Sequence, residues 1–285
     1  MQKRAVLAGG GTALGAVQVY PLEQLMKEHG LPAYARAGGV SVGSVNTVMF
    51  AADKLPQLRA LWNQVRGTSF FMRPNLCHLR KGLFTLSPLR KRMQRAVRLA
   101  ELAPSIEYAA GVTDFQSALY RNISSRAMQT DDQLYDAICA SAAQPIIMQG
   151  YLIDVGGGAR HLCQDGGVVN VIPQLEAPER FDAVDVILCY PVTKLVDKPR
   201  KDVEHLLGNT TRGFNIMNRD VLVSDLRVLR DYPSSVKVTI YAPPEYMDEW
   251  DASYATVQRR LNEVGPYMWA HPMTPDEAIE RWKSS

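Results

Sequence analysis

The chain opens on a short apolar run, Arg4-Ala-Val-Leu-Ala8, that reads as a buried strand and gives way at once to Gly9-Gly10-Gly11. Beyond the glycines the apolar positions switch to helical spacing, with Leu14, Val17, Leu22, Leu25 and Met26 on one side of an amphipathic stretch. Gly30 is placed to stop that helix, and Pro21, inside it, to kink it. A second strand runs from Ala35 to Val40, meets Ser41-Val42-Gly43, and passes into a helical run from Ser44 to Ala52. Strand, glycine turn, helix, strand, sharp turn, helix is the signature of parallel strands joined by crossover helices.

Further along, Leu89, Met93, Val97 and Ala100 fall at helical spacing behind Ser87, which reads as an N-cap with Pro88 in the first turn. Val112 to Phe115, Ala118 to Ile123, Tyr151 to Val155, Ala183 to Tyr190 and Val236 to Tyr241 are strand candidates. Thr130-Asp-Asp-Gln133 resembles a capping box that opens a helix ended by Pro145, and Thr211 to Arg230 and Ala255 to Val264 look helical. No repeat, low-complexity segment or linker interrupts the 285 residues, so the expectation is one α/β domain over 1–285.

No apolar run approaches the roughly 20 residues that span a bilayer, and Met1 to Ala8 lacks the apolar core and cleavage site of a signal peptide. The expected location is therefore the cytoplasm. Cys77, Cys139, Cys163 and Cys189 form no CxxC pair and have no histidine at metal-ligand spacing, so neither a zinc site nor a disulfide framework is expected. The net charge of +3 is unevenly spread. Lys54 to Ala100 holds eleven Lys or Arg and no Asp or Glu, leaving the rest with 21 basic and 29 acidic residues, a net of −8. A strongly positive face on an otherwise acidic protein is expected.

Three motifs carry candidate chemistry. Gly39-Val40-Ser41-Val42-Gly43 is a G-x-S-x-G sequence between a strand and a helix, a turn too tight for side chains at its flanks, which lifts the serine hydroxyl from the sheet toward the positive end of a helix. Gly9-Gly10-Gly11-Thr12 ends the first strand, where backbone N–H groups can face a common point and hold an oxyanion, hold a phosphate, or simply turn the chain. Asp165-Gly166-Gly167 is by itself an ordinary turn sequence.

Taken together, these motifs resemble the patatin-like phospholipases, with a glycine-rich loop after the first strand, G-x-S-x-G after the next core strand, and Asp-Gly-Gly in the second half. Gly82-Leu-Phe84 with Ser87-Pro-Leu-Arg90, Ala140-Ser-Ala-Ala-Gln-Pro145 and Asp165-Gly-Gly-Val-Val-Asn170 are similar too, and the likeness covers about residues 4–190, leaving helical and strand elements over about 191–285. The glycine loop departs from the family's usual form, having one extra residue before Gly15 and Leu14 in place of the usual basic residue.

The resemblance implies a three-layer α/β/α sandwich with a mostly parallel central sheet and a serine lipid acyl hydrolase. Ser41 would be the nucleophile and Asp165 its base, with Gly10, Gly11 and Thr12 as the oxyanion loop, Gly39 and Gly43 flanking the nucleophile turn, and Gly166 and Gly167 completing the acid motif. A carboxylate with an ordinary pKa of about 3.9 is a weak base, so partial desolvation would have to raise it. The scheme needs no metal or cofactor.

A Ser-His-Asp triad is the rival. Of His29, His78, His161, His205 and His271, only His205 and His271 follow Asp165 as an α/β-hydrolase order requires, and neither sits in a recognisable motif. A dinucleotide site is disfavoured by the G-x-G-x-x-x-G spacing of Gly9 to Gly15. The same acyl-enzyme could serve an acyltransferase. The expected substrate is a phospholipid or other lipid ester, met at an anionic membrane through the basic segment 54–100, with Trp62 and Phe70-Phe71-Met72 as apolar groups for the interface. No nucleic-acid motif accompanies the charge.

Overall fold

A computed structural model describes residues 3–76, 78–156, 158–195, 197–204 and 206–285, so Cys77 and His205 lie outside the described residues. In chain order the strands are β1 (Arg4–Ala8), β2 (Tyr34–Val40), β3 (Arg73–Pro74), β4 (Phe84–Thr85), β5 (Glu107–Asp114), β6 (Leu119–Ser124), β7 (Tyr151–Asp154), β8 (Arg160–Asp165), β9 (Ala183–Ile187) and β10 (Lys237–Tyr241). The helices are α1 (Val19–His29), α2 (Val42–Ala51), α3 (Leu55–Asn63), α4 (Ser87–Ala96), α5 (Asp131–Ser141), α6 (Arg200–Val203), α7 (Leu206–Arg230), α8 (Tyr254–Arg259), α9 (Gly265–Ala270) and α10 (Pro275–Ser284).

The main sheet runs β10-β9-β1-β2-β5-β8-β7, with β6 on β5. Pairing is parallel from β10 through β5 and antiparallel among β5, β6, β8 and β7. Strand alternation sends β1 side chains to two cores. Val6 enters the larger cluster, shared with α1, α2, α3 and α5, while Ala5 and Leu7 enter a second one with Leu222 and Leu226 of α7 and Ile279 of α10. Helices thus cover both faces, which gives the expected mixed α/β architecture with a mostly parallel sheet.

Several elements differ from the sequence reading. Thr12–Gln18 winds as a 3-10 helix before α1 begins, so Pro21 sits in the first turn of α1, where a missing N–H costs little, and not at a mid-helix kink. Ser87 is the first residue of α4, and its side chain caps nothing. Thr130 and Gln133 do form a reciprocal capping box on α5, which ends at Ser141, short of Pro145. The strand expected to reach Tyr190 ends at Ile187.

Candidate active site

The sheet register brings the separate motifs together. Val40, the last residue of β2, pairs with Gly111 of β5, and the next residue of that strand, Val112, pairs with Asp165 at the end of β8. Where β2 leaves the edge of β5, β8 takes its place. The residue after Val40 and the last residue of β8 therefore meet over one strand, and both Ser41 and Asp165 line the same pocket with Gly10, Gly11 and Thr12.

Ser41 occupies the left-handed half of backbone space, at φ 54° and ψ −125°, between β2 and α2. A non-glycine residue there is strained by about 1–3 kcal/mol, and the surroundings hold it. Its N–H donates to Ser141 Oγ at 2.9 Å, its carbonyl accepts from Ser44 Oγ at 2.7 Å, and Ser141 Oγ donates to Gly111 O at 2.7 Å. The flanking glycines are steric requirements: a Cβ on Gly39 would lie 2.3 Å from the Gly43 backbone, and one on Gly43 only 2.1 Å from Ala8 O.

The glycine loop is fixed from below and from the far end of the chain. Gln18 donates to Gly9 O at 2.8 Å and accepts from Asn46 at 2.8 Å, and Asn46 in turn accepts from the Trp62 indole at 3.1 Å. Ala13 N–H donates to Glu249 O at 3.1 Å, while the buried Arg260 guanidinium donates to Ala13 O, Asp251 O and Asp248 O at 3.1, 2.7 and 2.6 Å. Gly10 N–H points to Val171 O at 3.4 Å, so Gly10 is not an open donor as the sequence reading had it. Its role is room, since a Cβ there would stand 3.1 Å from Ser41 Cβ. Among the described residues the N–H groups of Gly11, Thr12 and Val42 make no hydrogen bond, and the last of these opens α2, where the helix dipole adds positive potential.

Asp165 is anchored through its backbone, its N–H donating to Ala143 O at 3.0 Å and its carbonyl accepting from Thr113 Oγ1 at 2.9 Å. Burial raises its carboxyl to about 6, with the Gly167 N–H at 2.8 Å and the Ser41 hydroxyl opposing the shift and the Glu249 carboxylate adding to it. A carboxylate so placed can accept a proton near neutrality, which one in water cannot do efficiently.

Two chambers meet at Ser41. One is apolar, lined by Val42, Val45, Phe71, Leu86, Leu89 and Met148; the other is polar and aromatic, lined by Tyr190, Phe214, Asn218 and Glu249. Among the described residues no histidine lines either. His161 bonds Asp114 at 2.8 Å and His271 the Tyr267 carbonyl at 2.9 Å.

This serine turn, glycine loop and half-buried aspartate lie within a stretch, residues 5–178, that matches the family model Patatin-like phospholipase over more than half of the chain. The chain belongs to the patatin-like phospholipase family. Membership supports lipid acyl hydrolase activity, with lipid esters as the substrate class. The patatin-like fold is also similar to that in the crystal structure of VipD from Legionella pneumophila, at 12% identity and a TM-score of 0.50, covering 96% of this chain and 68% of that one. At that identity the likeness concerns the fold alone. No curated protein matches the chain.

Sequence reasoning missed the polar chamber. Glu249 is buried and accepts a hydrogen bond from Tyr190 Oη, and burial raises its carboxyl. Tyr190, Phe214, Asn218 and Glu249 all follow residue 178, where the patatin-like match ends, and none sits in a motif. The positive face is also less uniform than its composition suggests. Lys54 is paired with Glu101, Arg59 with Glu23, and Arg90 with Asp132 and Asp136. Trp62 and Met72 are buried, and Phe70 and Phe71 pack against the core, so none of the four is the exposed interfacial group expected of it.

Proposed function

We propose that the protein is a serine lipid acyl hydrolase of the phospholipase A or lysophospholipase type, working as a single domain with a Ser41–Asp165 dyad. The observation that carries the reading is the half-buried Asp165 carboxyl, raised to about 6 and hydrogen-bonded to the Ser41 hydroxyl in one pocket. The acyl chain enters the apolar chamber and the alcohol portion the polar one. Ser41 Oγ attacks the ester carbonyl as its proton passes to Asp165, and the N–H groups of Gly11, Thr12 and Val42 stabilise the oxyanion. Collapse expels the alcohol, which takes the proton from Asp165 and leaves an acyl-enzyme. Water then attacks, Asp165 accepts its proton, and the returning Ser41 alkoxide recovers that proton as the fatty acid leaves. The reaction takes place at an anionic membrane surface, approached through the basic stretch 54–100.

The test is mass spectrometry of a lipid mixture incubated with wild-type, Ser41→Ala and Asp165→Ala proteins. Free fatty acid and lysolipid should appear with wild type alone, and a fluorophosphonate probe should label wild type and not Ser41→Ala. Undiminished lipid hydrolysis by Ser41→Ala would remove the reading.

A further inference from the structure

Among the described residues, the three most exposed large apolar side chains sit on neighbouring segments. Leu76 is 79% exposed, Leu79 56% and Ile146 66%, and these three belong to one hydrogen-bonded unit. Strands β3 and β4 pair as a short hairpin whose turn carries Leu76 and Leu79. That turn is pinned to the segment just past Ile146. Asn75 Nδ2 donates to His78 O and Gly82 O at 3.1 Å each and to Gln149 Oε1 at 3.3 Å. Phe84 N–H donates to Ile147 O at 2.8 Å, and Gln149 N–H returns to Phe84 O at 3.0 Å.

On the other side of Ile146, Gln144 and Pro145 line the pocket that holds Ser41. Ile146 itself is held at φ 69°, a left-handed conformation that a β-branched residue adopts only under constraint. Ile146 therefore stands beside the mouth of the site, and the turn that carries Leu76 and Leu79 is braced to the same segment.

Cations surround them. Arg73, Arg80 and Lys81 on the hairpin are exposed, none makes a salt bridge among the described residues, and no acidic residue lies anywhere between Lys54 and Ala100. Arg73 also borders a groove between α3 and α4 lined by Lys91, Arg92 and Arg95. Burial, and after it the neighbouring Arg95, push the Arg92 guanidinium below its ordinary value. Apolar side chains flanked by unneutralised cations match a bilayer whose interior is hydrocarbon and whose surface is anionic.

We propose that the β3–β4 turn docks this protein on anionic phospholipid bilayers, with Leu76 and Leu79 entering the acyl region, Arg80 and Lys81 meeting head-group phosphates, and Ile146 seating the mouth of the Ser41 pocket against the surface. The proposal rests on the lipid-hydrolase reading but fails separately from it.

The full-length protein would be sedimented with vesicles of phosphatidylcholine alone and of phosphatidylcholine mixed with phosphatidylserine, alongside Leu76→Asp/Leu79→Asp and Arg80→Glu/Lys81→Glu. Hydrolysis of a soluble short-chain ester by each serves as a control on the folded site. Wild type should prefer the anionic vesicles and release with added salt. The charge reversals should weaken that binding by about thirtyfold or more and the leucine replacements by on the order of a hundredfold, with soluble-ester turnover kept. Equal binding by wild type and both variants, no binding by wild type, or binding only to a protein partner would overturn the docking surface. Vesicle binding by a wild type that hydrolyses no ester would instead overturn the dyad and leave the docking surface standing.

Discussion

The backbone N–H of Ser41 is held at 2.9 Å by the hydroxyl of Ser141, a residue one hundred positions away at the end of α5. Ser141 Oγ in turn donates to Gly111 O, so one buried hydroxyl ties the serine turn, β5 and α5 together. Ser141→Ala leaves the Ser41 N–H buried without a partner, at a cost of about 1–3 kcal/mol. The expected outcome is a chemical-denaturation midpoint lowered accordingly, with kcat falling as the turn relaxes. An unchanged midpoint and kcat would show that the relay does not hold the turn.

Two glycines should respond to alanine in opposite directions. A Cβ at Gly43 would stand 2.1 Å from Ala8 O, where the first turn of α2 packs on the end of β1 and neither backbone can withdraw, so Gly43→Ala should cost about 3 kcal/mol or more, or abolish folding. Gly213, within α7, has nothing within 4 Å of the same position. Gly213→Ala should stabilise by about 0.5–1 kcal/mol through the helix preference alone. Thermal melts of the pair, followed by circular dichroism, give both signs in one experiment.

Because the Asp165 carboxyl is raised to about 6, its charged form is disfavoured in the folded chain. The base works only when ionised, so kcat/KM should fall about tenfold per pH unit below pH 6 and level off above it. The stability sign follows from the same shift. The unfolded carboxyl ionises near 3.8 and the folded one near 6, so the folded state binds more protons in that window and stability declines as pH rises through it. Asp165→Asn removes the penalty and should be more stable than wild type at pH 7 by up to about 3 kcal/mol, yet inactive. Melting temperatures at pH 4 and pH 7 check this; a gain of equal size at both would refute it.

These outcomes depend on features that the sequence exposes unequally. Strands β1, β2 and β9 are legible because both their faces are covered, so they appear as near-continuous apolar runs. β8, Arg-His-Leu-Cys-Gln-Asp, is not legible, because its burial does not follow polarity: apolar Leu162 is exposed and polar Gln164 is buried. Asp165 was nonetheless picked out by the motif that follows it. Gly11 and Thr12 could be named as candidate donors, but Gly10 could not be set apart from them. The partner of its N–H, Val171, is remote in sequence. Arg260, Glu249 and Tyr190 reach the glycine loop and the pocket only through the packing of the last third of the chain. No local pattern marks contacts of that kind.

The apolar chamber should set the acyl length. Its lining residues Val42, Val45, Phe71, Leu86, Leu89 and Met148 present hydrocarbon, so a chain entering among them gains about 0.8 kcal/mol per methylene buried. Ala142, just beyond α5, lines the same chamber with the smallest side chain there and is not fully buried. Ala142→Leu adds bulk that would displace two or three methylenes of a long chain. The resulting loss of about 2 kcal/mol corresponds to roughly thirtyfold in kcat/KM. Short-chain esters do not reach that depth and should be hydrolysed within about twofold of wild type. A series of p-nitrophenyl esters of increasing length, assayed with both proteins, would show the two profiles diverging beyond a definite chain length. Parallel profiles at every length would mean that the chain lies elsewhere and that this chamber is ordinary core packing around Phe71 and Leu89.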